Sequence, residues 1–345
     1  MLYNTENPHG GDVYERDIEL DFSANINPFG TPEGVKAAVS ASLGALSAYP
    51  DPYCRRLVSA IAAHEGVPKE YMLCGAGAAE LIYSFAFAER PKRIAELAPT
   101  FAEYSLPLAD AEIARFRLKE ENGFRLGREL IAFIEETKPE ALFVCNPNNP
   151  TGLRADPALI EAAAEKCRAV DCRLFLDECF MDLADEPESF VPKLSEYPNA
   201  IVLKAFTKSY GMAGLRLGYC ICSDAALLAK MSRAAQPWNV STPAQEAGAA
   251  ALGEASFLEK TRRLIKKERP RLASALKGLG LTVFDSNANF LLIKAAPELG
   301  EELLKKGIKI RSCSNFHGLA EGFFRIAVRL PEENDRLIEA VKEIL

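Results

Sequence analysis

Short apolar runs alternate with helical patterns from about Leu73 to Cys222, and this alternation restricts the possible folds more than any other feature. The apolar runs read RIAEL, ALFVCN, RLFLD, AIVLKA and LRLGYCIC. Among the stretches between them, RADPALIEAAAEKCRAV offers Asp156 as a helix cap and Pro157 for the first turn. Its apolar side chains fall on one helical face: Leu159, Ala163, Cys167 and Val170. The alternation predicts an α/β fold with a mainly parallel sheet that helices cover on both faces.

The pattern changes after Trp238. A charged helical stretch is predicted from about Pro243 to Leu279, followed by the strand-like runs LTVFDSNANFLLIKA, GIKIRSC and FFRIAVRL and by the amphipathic C-terminal PEENDRLIEAVKEIL. We therefore expect a large domain over residues 32–240. A smaller α+β domain would comprise residues 241–345 together with residues 1–31, with the irregular N-terminal segment packed between the two domains.

Composition excludes several classes of protein. A chain of 345 residues with 48% hydrophobic and 26% charged residues is typical of a globular protein with a large core. A formal net charge of -7 without a basic stripe argues against a nucleic-acid partner. No apolar run approaches the ~20 residues that span a bilayer, and the first residues lack the features of a signal peptide. We expect a cytoplasmic protein without a membrane partner.

The cysteines and histidines give no sign of a disulfide framework or a metal site. The nine cysteines are scattered, odd in number and without a C-x-x-C pair, so we interpret them as reduced thiols in the core. The three histidines, His9, His64 and His317, have no metal-ligand spacing, and no metal site is expected.

Polar side chains stand at the ends of several apolar runs, where a parallel sheet gathers its functional loops. Asn149 lies in NPNNPTG, whose two prolines and final glycine make a rigid loop. Asp177 ends the run LFLD, and Lys208 follows AIVLKA, with Arg216 behind it. Each residue alone is more often an ordinary loop or cap residue, so the functional interpretation depends on all of them converging.

A fifth signal, GAGAAE over residues 75–80, follows an apolar run and opens a predicted helix. Its backbone N–H groups could hold a phosphate. It does not match the dinucleotide pattern, because Glu80 occupies the position of the third glycine. A lysine, a carboxylate, an amide, an arginine and a phosphate-binding helix start together suit pyridoxal phosphate. That cofactor needs an amine for its aldehyde, a carboxylate for its ring nitrogen, and donors for its ring oxygen and phosphate.

The motifs NPNNPTG, LDE, TKSYGMAGLRLGY and FFRIAVR occur in this order along almost the full length. On these motifs the chain resembles fold-type I pyridoxal-phosphate enzymes of the class I/II aminotransferase family. The resemblance implies a homodimer in which Lys208 binds the cofactor covalently and shuttles a proton. It also implies that Asp177 pairs with the ring nitrogen and that Asn149 bonds the ring hydroxyl oxygen.

The resemblance assigns the remaining cofactor contacts as well. It implies a phosphate site formed by these groups: Arg216, Thr207, the backbone of Gly77 and Ala78, and Tyr49 reaching over from a neighbouring subunit. Phe101, in PTFAEY, would stack on the ring, and Arg325 would hold the substrate carboxylate. The chain departs from many aminotransferases at Phe180, where they have a tyrosine that donates to the ring oxygen.

Within this family, HGGDVYE, LDFSANINPFGTP, QPWNV and IRSCSNFHGL are similar to threonine-phosphate decarboxylases, which form an aminopropanol phosphate in cobalamin biosynthesis. By position, the candidates for binding this small phosphorylated substrate are His9, the Gly10 backbone, Asn25, Asn149, Arg311 and Arg325. The alternative is an aminotransferase of the histidinol-phosphate type, which usually reads Asn-Glu-Asn-Pro where this chain has ANINP.

Two further classes remain as alternatives. A nicotinamide dehydrogenase would explain the parallel sheet and GAGAAE, but it would leave Lys208 and NPNNPTG without a role. A non-catalytic sensor built on this fold is the other, although the sequence contains no appended DNA-binding segment.

Overall fold

The computed structural model describes residues 9–14 and 17–345, and it places helices and strands in the alternating order that the sequence predicts. The helices in this part of the chain are α1 (Glu33–Ser42), α2 (Arg55–Glu65), α3 (Ala78–Glu89), α4 (Glu129–Thr137), α5 (Pro157–Ala169), α6 (Phe206–Ser209), α7 (Ala225–Ala234), α8 (Thr242–Ala251), α9 (Ala255–Gly278), α10 (Leu299–Lys305) and α11 (Pro331–Ile344). The strands are β1 (Leu20–Asp21), β2 (Met72–Gly75), β3 (Arg93–Ala98), β4 (Glu112–Arg117), β5 (Ala141–Cys145), β6 (Arg173–Asp177), β7 (Ala200–Ala205), β8 (Gly218–Ile221), β9 (Thr282–Val283), β10 (Phe290–Lys294), β11 (Ile308–Lys309), β12 (Arg311–Ser312) and β13 (Phe323–Ala327).

The large sheet has seven strands in the order β2-β8-β7-β6-β5-β3-β4. Strands β3 to β7 run parallel. Strand β8 is antiparallel to both of its neighbours, β7 and β2, so the edge strand β2 runs in the same direction as β3 to β7. The prediction of an α/β fold with a mainly parallel sheet is therefore confirmed. Because β5, β6 and β7 point the same way, the loops that follow them meet at one edge of the sheet.

Side-chain alternation along the strands explains why both faces of this sheet are covered. On β5, Phe143 packs on one face with Phe85 of α3 and Phe175 of β6. Leu142 and Val144 point to the other face, where α4 and α5 supply the apolar partners. The predicted start of α5 is also observed, because the Asp156 carboxylate accepts the N–H of Ala158 at 2.9 Å.

A second, antiparallel sheet has the order β12-β13-β10-β9, and the short parallel pair β1-β11 lies beside it. Its core combines residues of these strands with α9, α10 and α11, including Leu272, Leu291, Ile326 and Leu337. The division into residues 32–240 and residues 1–31 with 241–345 stays a prediction. None of the described helices is both long and apolar enough to cross a membrane.

The prediction of a single helical stretch from Pro243 to Leu279 is wrong, because the chain forms two helices there, α8 and α9. The first, α8, packs against α1 and α2, with Gly248 close to Leu57 and Leu217. The chain then turns at Gly253, whose N–H donates to the Ala250 carbonyl. This turn lets α9 leave the large sheet and pack on the second one, where it contacts β9, β10 and α11.

Candidate active site

A cavity of about 350 Å³ lies at the carboxyl ends of the parallel strands. Eleven of the fourteen predicted site residues line it: His9, Gly10, Ala78, Phe101, Asn149, Asp177, Thr207, Lys208, Arg216, Arg311 and Arg325. Gly77 and Asn25 are neighbours of lining residues, whereas Tyr49 lies on the surface. The fold therefore brings the strand-end residues and the N-terminal segment together in one place.

Lys208 sits in the short helix α6, directly after β7, and faces the cavity. Burial lowers the pKa of its ammonium to about 8, and the positive charges of Arg325 and Arg216 act in the same direction. A large fraction of the amine is therefore neutral near pH 8, the form that attacks an aldehyde.

Lys204, on β7 itself, is in the opposite situation. Its Nζ lies 3.0 Å from Glu65 and 3.1 Å from Asp182. Burial alone would lower its pKa, but the charges of Asp182, Glu65 and Glu178 outweigh burial and raise the pKa. Lys204 is thus a charged structural residue, and Lys208 is the nucleophile candidate.

Asp177 ends β6 and is buried beside Lys208 in the cavity wall. Its Oδ1 accepts the backbone N–H of Cys179 at 2.9 Å, and its Oδ2 accepts the Tyr104 hydroxyl at 2.7 Å. Burial, together with the charge of Asp177, raises the pKa of the nearby Cys179 thiol, which stays protonated. The carboxylate is held from both sides and still has lone pairs free toward the cavity.

The asparagines of NPNNPTG divide into structural and site residues. Asn146 and Asn148 stabilise the loop, because Asn146 accepts the N–H of Ala155 and Asn148 accepts the Thr100 hydroxyl. Asn149 instead lines the cavity, and its Oδ1 accepts Nη1 of Arg325 at 2.6 Å. With the carbonyl oxygen committed to Arg325, the amide Nδ2 is available as a donor toward the cavity.

The start of α3 forms a cradle with Arg216. Gly77 has a φ of 86°, and a Cβ there would lie only 2.7 Å from Arg216 Nη2. A side chain at this position would therefore displace the guanidinium. Glu80 has a structural role, since its carboxylate accepts the Ala76 N–H and the Asn239 amide, each at 2.6 Å. These bonds explain why a glutamate occupies the position that a glycine holds in the dinucleotide pattern.

The groups predicted to bind the substrate lie in or next to the same cavity. His9 Nε2 lies 2.6 Å from the Glu103 carboxylate, and its ring centroid lies 5.8 Å from that of Phe101. Arg311 Nη2 donates to Asn315 at 2.8 Å. Asn25 is buried, and neither polar atom of its side chain has a hydrogen-bond partner in the described part of the chain. An unpartnered buried amide next to a cavity is a good candidate for binding a ligand.

Three residues that matter for the site were missed by the sequence analysis. Glu103 and Tyr104 stand in PTFAEY, where only Phe101 was singled out. Asn27 clamps the Lys208 loop: its backbone N–H donates to the Lys208 carbonyl at 3.0 Å, and its side chain donates to Ser209 O at 2.8 Å. The same amide donates to Thr261 of α9 at 2.9 Å. Neither PTFAEY nor ANINP, the stretch that contains Asn27, gives a local signal for these contacts.

Comparison with known proteins identifies the family. The sequence model of the aminotransferase class I and II family matches residues 17–341. The chain belongs to this family. It is 38% identical to threonine-phosphate decarboxylase of Salmonella typhimurium, with 100% of this chain and 98% of the relative covered. It is 34% identical to histidinol-phosphate aminotransferase 2 of Archaeoglobus fulgidus, with 98% of both chains covered. Among solved structures, histidinol-phosphate aminotransferase from Clostridium acetobutylicum has a TM-score of 0.88 at 28% identity, covering 94% of this chain and 98% of that one.

The cavity fits the pyridoxal phosphate that family membership indicates. Lys208 lines this cavity, and the buried Nε of Arg325 has no hydrogen-bond partner among residues 9–14 and 17–345. The space that a Cβ at Gly77 would fill lies beside Arg216. Phe180 packs edge-on against Phe290, with ring centroids 5.0 Å apart. Because it has no hydroxyl, it offers no hydrogen-bond donor to the ring oxygen of the cofactor. The Asn149 amide Nδ2 would have to supply that donor, and Asn149 lines the cavity.

Proposed function

We propose that this chain is a pyridoxal-phosphate-dependent lyase that decarboxylates L-threonine O-3-phosphate to aminopropanol phosphate, a step of cobalamin biosynthesis. Support comes from the full-length similarity to a threonine-phosphate decarboxylase and from the charges in the cavity. A bifunctional adenosylcobalamin biosynthesis protein of Leptospira interrogans, 32% identical over 97% of this chain, places a relative in that pathway.

The observation that carries the proposal is a pair of arginines. Strands β12 and β13 place Arg311 directly opposite Arg325, and both line the cavity. Like charges directly opposite on neighbouring strands are destabilising unless an anion lies between or beside them. A substrate with a carboxylate and a phosphate supplies one anionic group for each guanidinium, and bidentate contacts of this kind are strong and directional.

In this proposal the cofactor supplies an electron sink for the bond that breaks at the substrate Cα. Lys208 holds the cofactor, and Asp177 stabilises positive charge at its ring nitrogen. Arg311 and His9 hold the substrate phosphate, and Arg325 steadies the carboxylate. Positioning of this kind would decide which bond at the substrate Cα breaks. With a pKa of about 8, Lys208 Nζ can hold the proton that Cα receives when carbon dioxide leaves.

The alternative is amino transfer of the histidinol-phosphate type. The 34% identity to a histidinol-phosphate aminotransferase over 98% of the chain favours it as the second candidate. Both reactions use the same cofactor residues, and they differ in whether the Cα–H bond or the Cα–carboxylate bond is held perpendicular to the ring. The substrate end of the cavity therefore decides between them.

Replacing Arg311 tests the substrate assignment. Arg311→Ala removes a charge-assisted phosphate contact worth about 1.5–3 kcal/mol, so we expect turnover of phosphothreonine to fall roughly 10- to 100-fold while the bound cofactor is retained. The control is Arg336→Ala, which removes an exposed arginine paired with Glu19 at 2.5 Å. Full phosphothreonine turnover in Arg311→Ala would contradict the assignment, as would an equal loss in Arg336→Ala.

We also propose that the active unit is a homodimer in the cytoplasm. Tyr49 is 78% exposed and stacks on Trp238, which is 46% exposed, with ring centroids 4.5 Å apart. Leu43, Leu46 and Tyr53 of the same segment are also exposed. Exposed large apolar side chains of this kind are typical of a protein interface, from which Tyr49 would reach the partner's cofactor phosphate. The nine cysteines, all unpaired and buried, support a reducing compartment.

A further inference from the structure

Tyr104 forms a buried hydrogen bond with Asp177, and the proposed mechanism gives this tyrosine no role. It ends the 3₁₀ turn Ala102–Tyr104 and is completely buried. Its hydroxyl donates to Asp177 Oδ2 at 2.7 Å, while the N–H of Cys179 donates to Oδ1 at 2.9 Å. Asp177 therefore accepts the side-chain hydroxyl of Tyr104 on one carboxylate oxygen and a backbone N–H on the other.

The tyrosine ring is itself held by packing. It stacks on Phe143 with ring centroids 5.3 Å apart and planes 10° apart. On another side it meets Phe101 edge-on, at 5.7 Å and 80°. Because Phe143 belongs to β5 in the middle of the sheet, the direction of the Tyr104 hydroxyl is set by the core rather than by the loop. The ring also contacts Phe101, the residue predicted to stack on the cofactor.

We propose that Tyr104 is a positioning residue for the cofactor. Its hydroxyl fixes the plane of the Asp177 carboxylate, and its ring fixes Phe101, so one buried side chain aligns the group that pairs with the ring nitrogen and the group that covers the ring face. An aspartate carboxylate that is held by only one oxygen can rotate about χ2, because the distribution of this torsion angle is broad and roughly two-fold. A second donor removes this freedom and prepares the site before the cofactor binds. The inference rests on the proposed cofactor site and not on which bond of the substrate breaks.

The test compares two tyrosine-to-phenylalanine variants of the holoenzyme. Tyr104→Phe removes the hydroxyl and keeps the ring. The matched control is Tyr219→Phe, because Tyr219 is also buried and donates to a carboxylate, that of Glu65, at 2.5 Å. The Glu65 side chain is only 7% exposed, and Tyr219 does not line the cavity. The readouts are the rate of cofactor release, the circular dichroism of the bound cofactor, kcat and KM, and the thermal midpoint.

At metal sites, loss of a residue that orients a metal ligand commonly lowers metal affinity or activity about 10- to 100-fold. By the same logic we expect Tyr104→Phe to release the cofactor about tenfold faster. Its cofactor dichroism should weaken per bound cofactor, and kcat should fall with little change in KM. Tyr219→Phe should lower the thermal midpoint without these changes. If Tyr104→Phe behaves like Tyr219→Phe in every cofactor readout, the inference is overturned.

A double-mutant cycle separates positioning from packing. On an Asp177→Asn background, where the carboxylate is already gone, Tyr104→Phe should accelerate cofactor release much less than it does in the wild type. An equal acceleration on both backgrounds overturns the inference, because Tyr104 would then act without Asp177. A wild-type enzyme that transaminates rather than decarboxylates leaves these readouts unchanged. A wild-type protein with no cofactor signal would refute the cofactor site itself, and with it this role for Tyr104.

Discussion

Lys204 and Lys208 lie on either side of the end of β7 and have opposite electrostatic environments. Lys204 is enclosed by carboxylates that raise its pKa, whereas burial and two arginines lower the pKa of Lys208 to about 8. Chemistry that needs a neutral amine therefore selects Lys208, although both side chains are largely removed from solvent.

The first prediction at this scale is that the cofactor is attached to Lys208. Borohydride reduction followed by peptide mapping should place the pyridoxyl group on Lys208. The Lys208→Ala variant should lack the visible absorbance of the covalently bound cofactor. Because the amine loses its proton as the pH rises through about 8, attachment of cofactor to the apoprotein should be faster at pH 9 than at pH 7. A label on Lys204 would show that the site is assigned to the wrong lysine.

The sequence predicted that the strand-end residues would lie close together, because a parallel sheet brings the ends of its strands to one edge whatever the loops between them do. Asn149, Asp177 and Lys208 meet for that reason. Glu103 and Asn27 could not be predicted, since their partners, His9 and the Lys208 loop, are far away in the sequence. Such contacts depend on the path of the N-terminal segment through the folded protein.

At the scale of elements, the central strands β5, β6 and β7 were predictable because each is a nearly continuous apolar run buried on both faces. Strand β4, whose residues are exposed or half-buried, gave no such signal. The short strands outside the large sheet were harder to predict. Strands β9, β11 and β12 have two residues each, too few to show a period. The break between α8 and α9 was missed because helix-forming residues continue on both sides of Gly253, mainly alanines before it and charged residues after it. Only the packing of α8 on α1 and α2 requires a turn there.

The N-terminal segment joins these elements into one site. Arg325 of β13 donates to the Ser23 carbonyl at 2.6 Å, and Asn27 bonds both α9 and the Lys208 loop. The segment that carries His9 and Gly10 is thus attached to the second sheet and to the Lys208 loop. An irregular stretch of sequence becomes a wall of the cavity through these long-range hydrogen bonds.

At the scale of the whole molecule, the dimer gives the next prediction. Sedimentation at micromolar concentration should give twice the mass of one chain. Tyr49→Phe should release cofactor faster during dialysis, because the partner's phosphate loses a donor, while the unfolding free energy changes by less than about 0.5 kcal/mol, as for other exposed residues. Tyr53→Phe, in the same exposed segment, should retain cofactor normally. Fully active monomers would contradict the dimer proposal.

The central claim is that this cavity directs bond breaking to the carboxylate of a small phosphorylated amino acid. The most direct measurement is to incubate the purified holoenzyme with L-threonine O-3-phosphate and quantify carbon dioxide and the amine product without any 2-oxo acid. The account predicts one carbon dioxide for each aminopropanol phosphate formed, and no dependence on 2-oxoglutarate. Absence of carbon dioxide, together with robust conversion of histidinol phosphate and 2-oxoglutarate to glutamate, would contradict it.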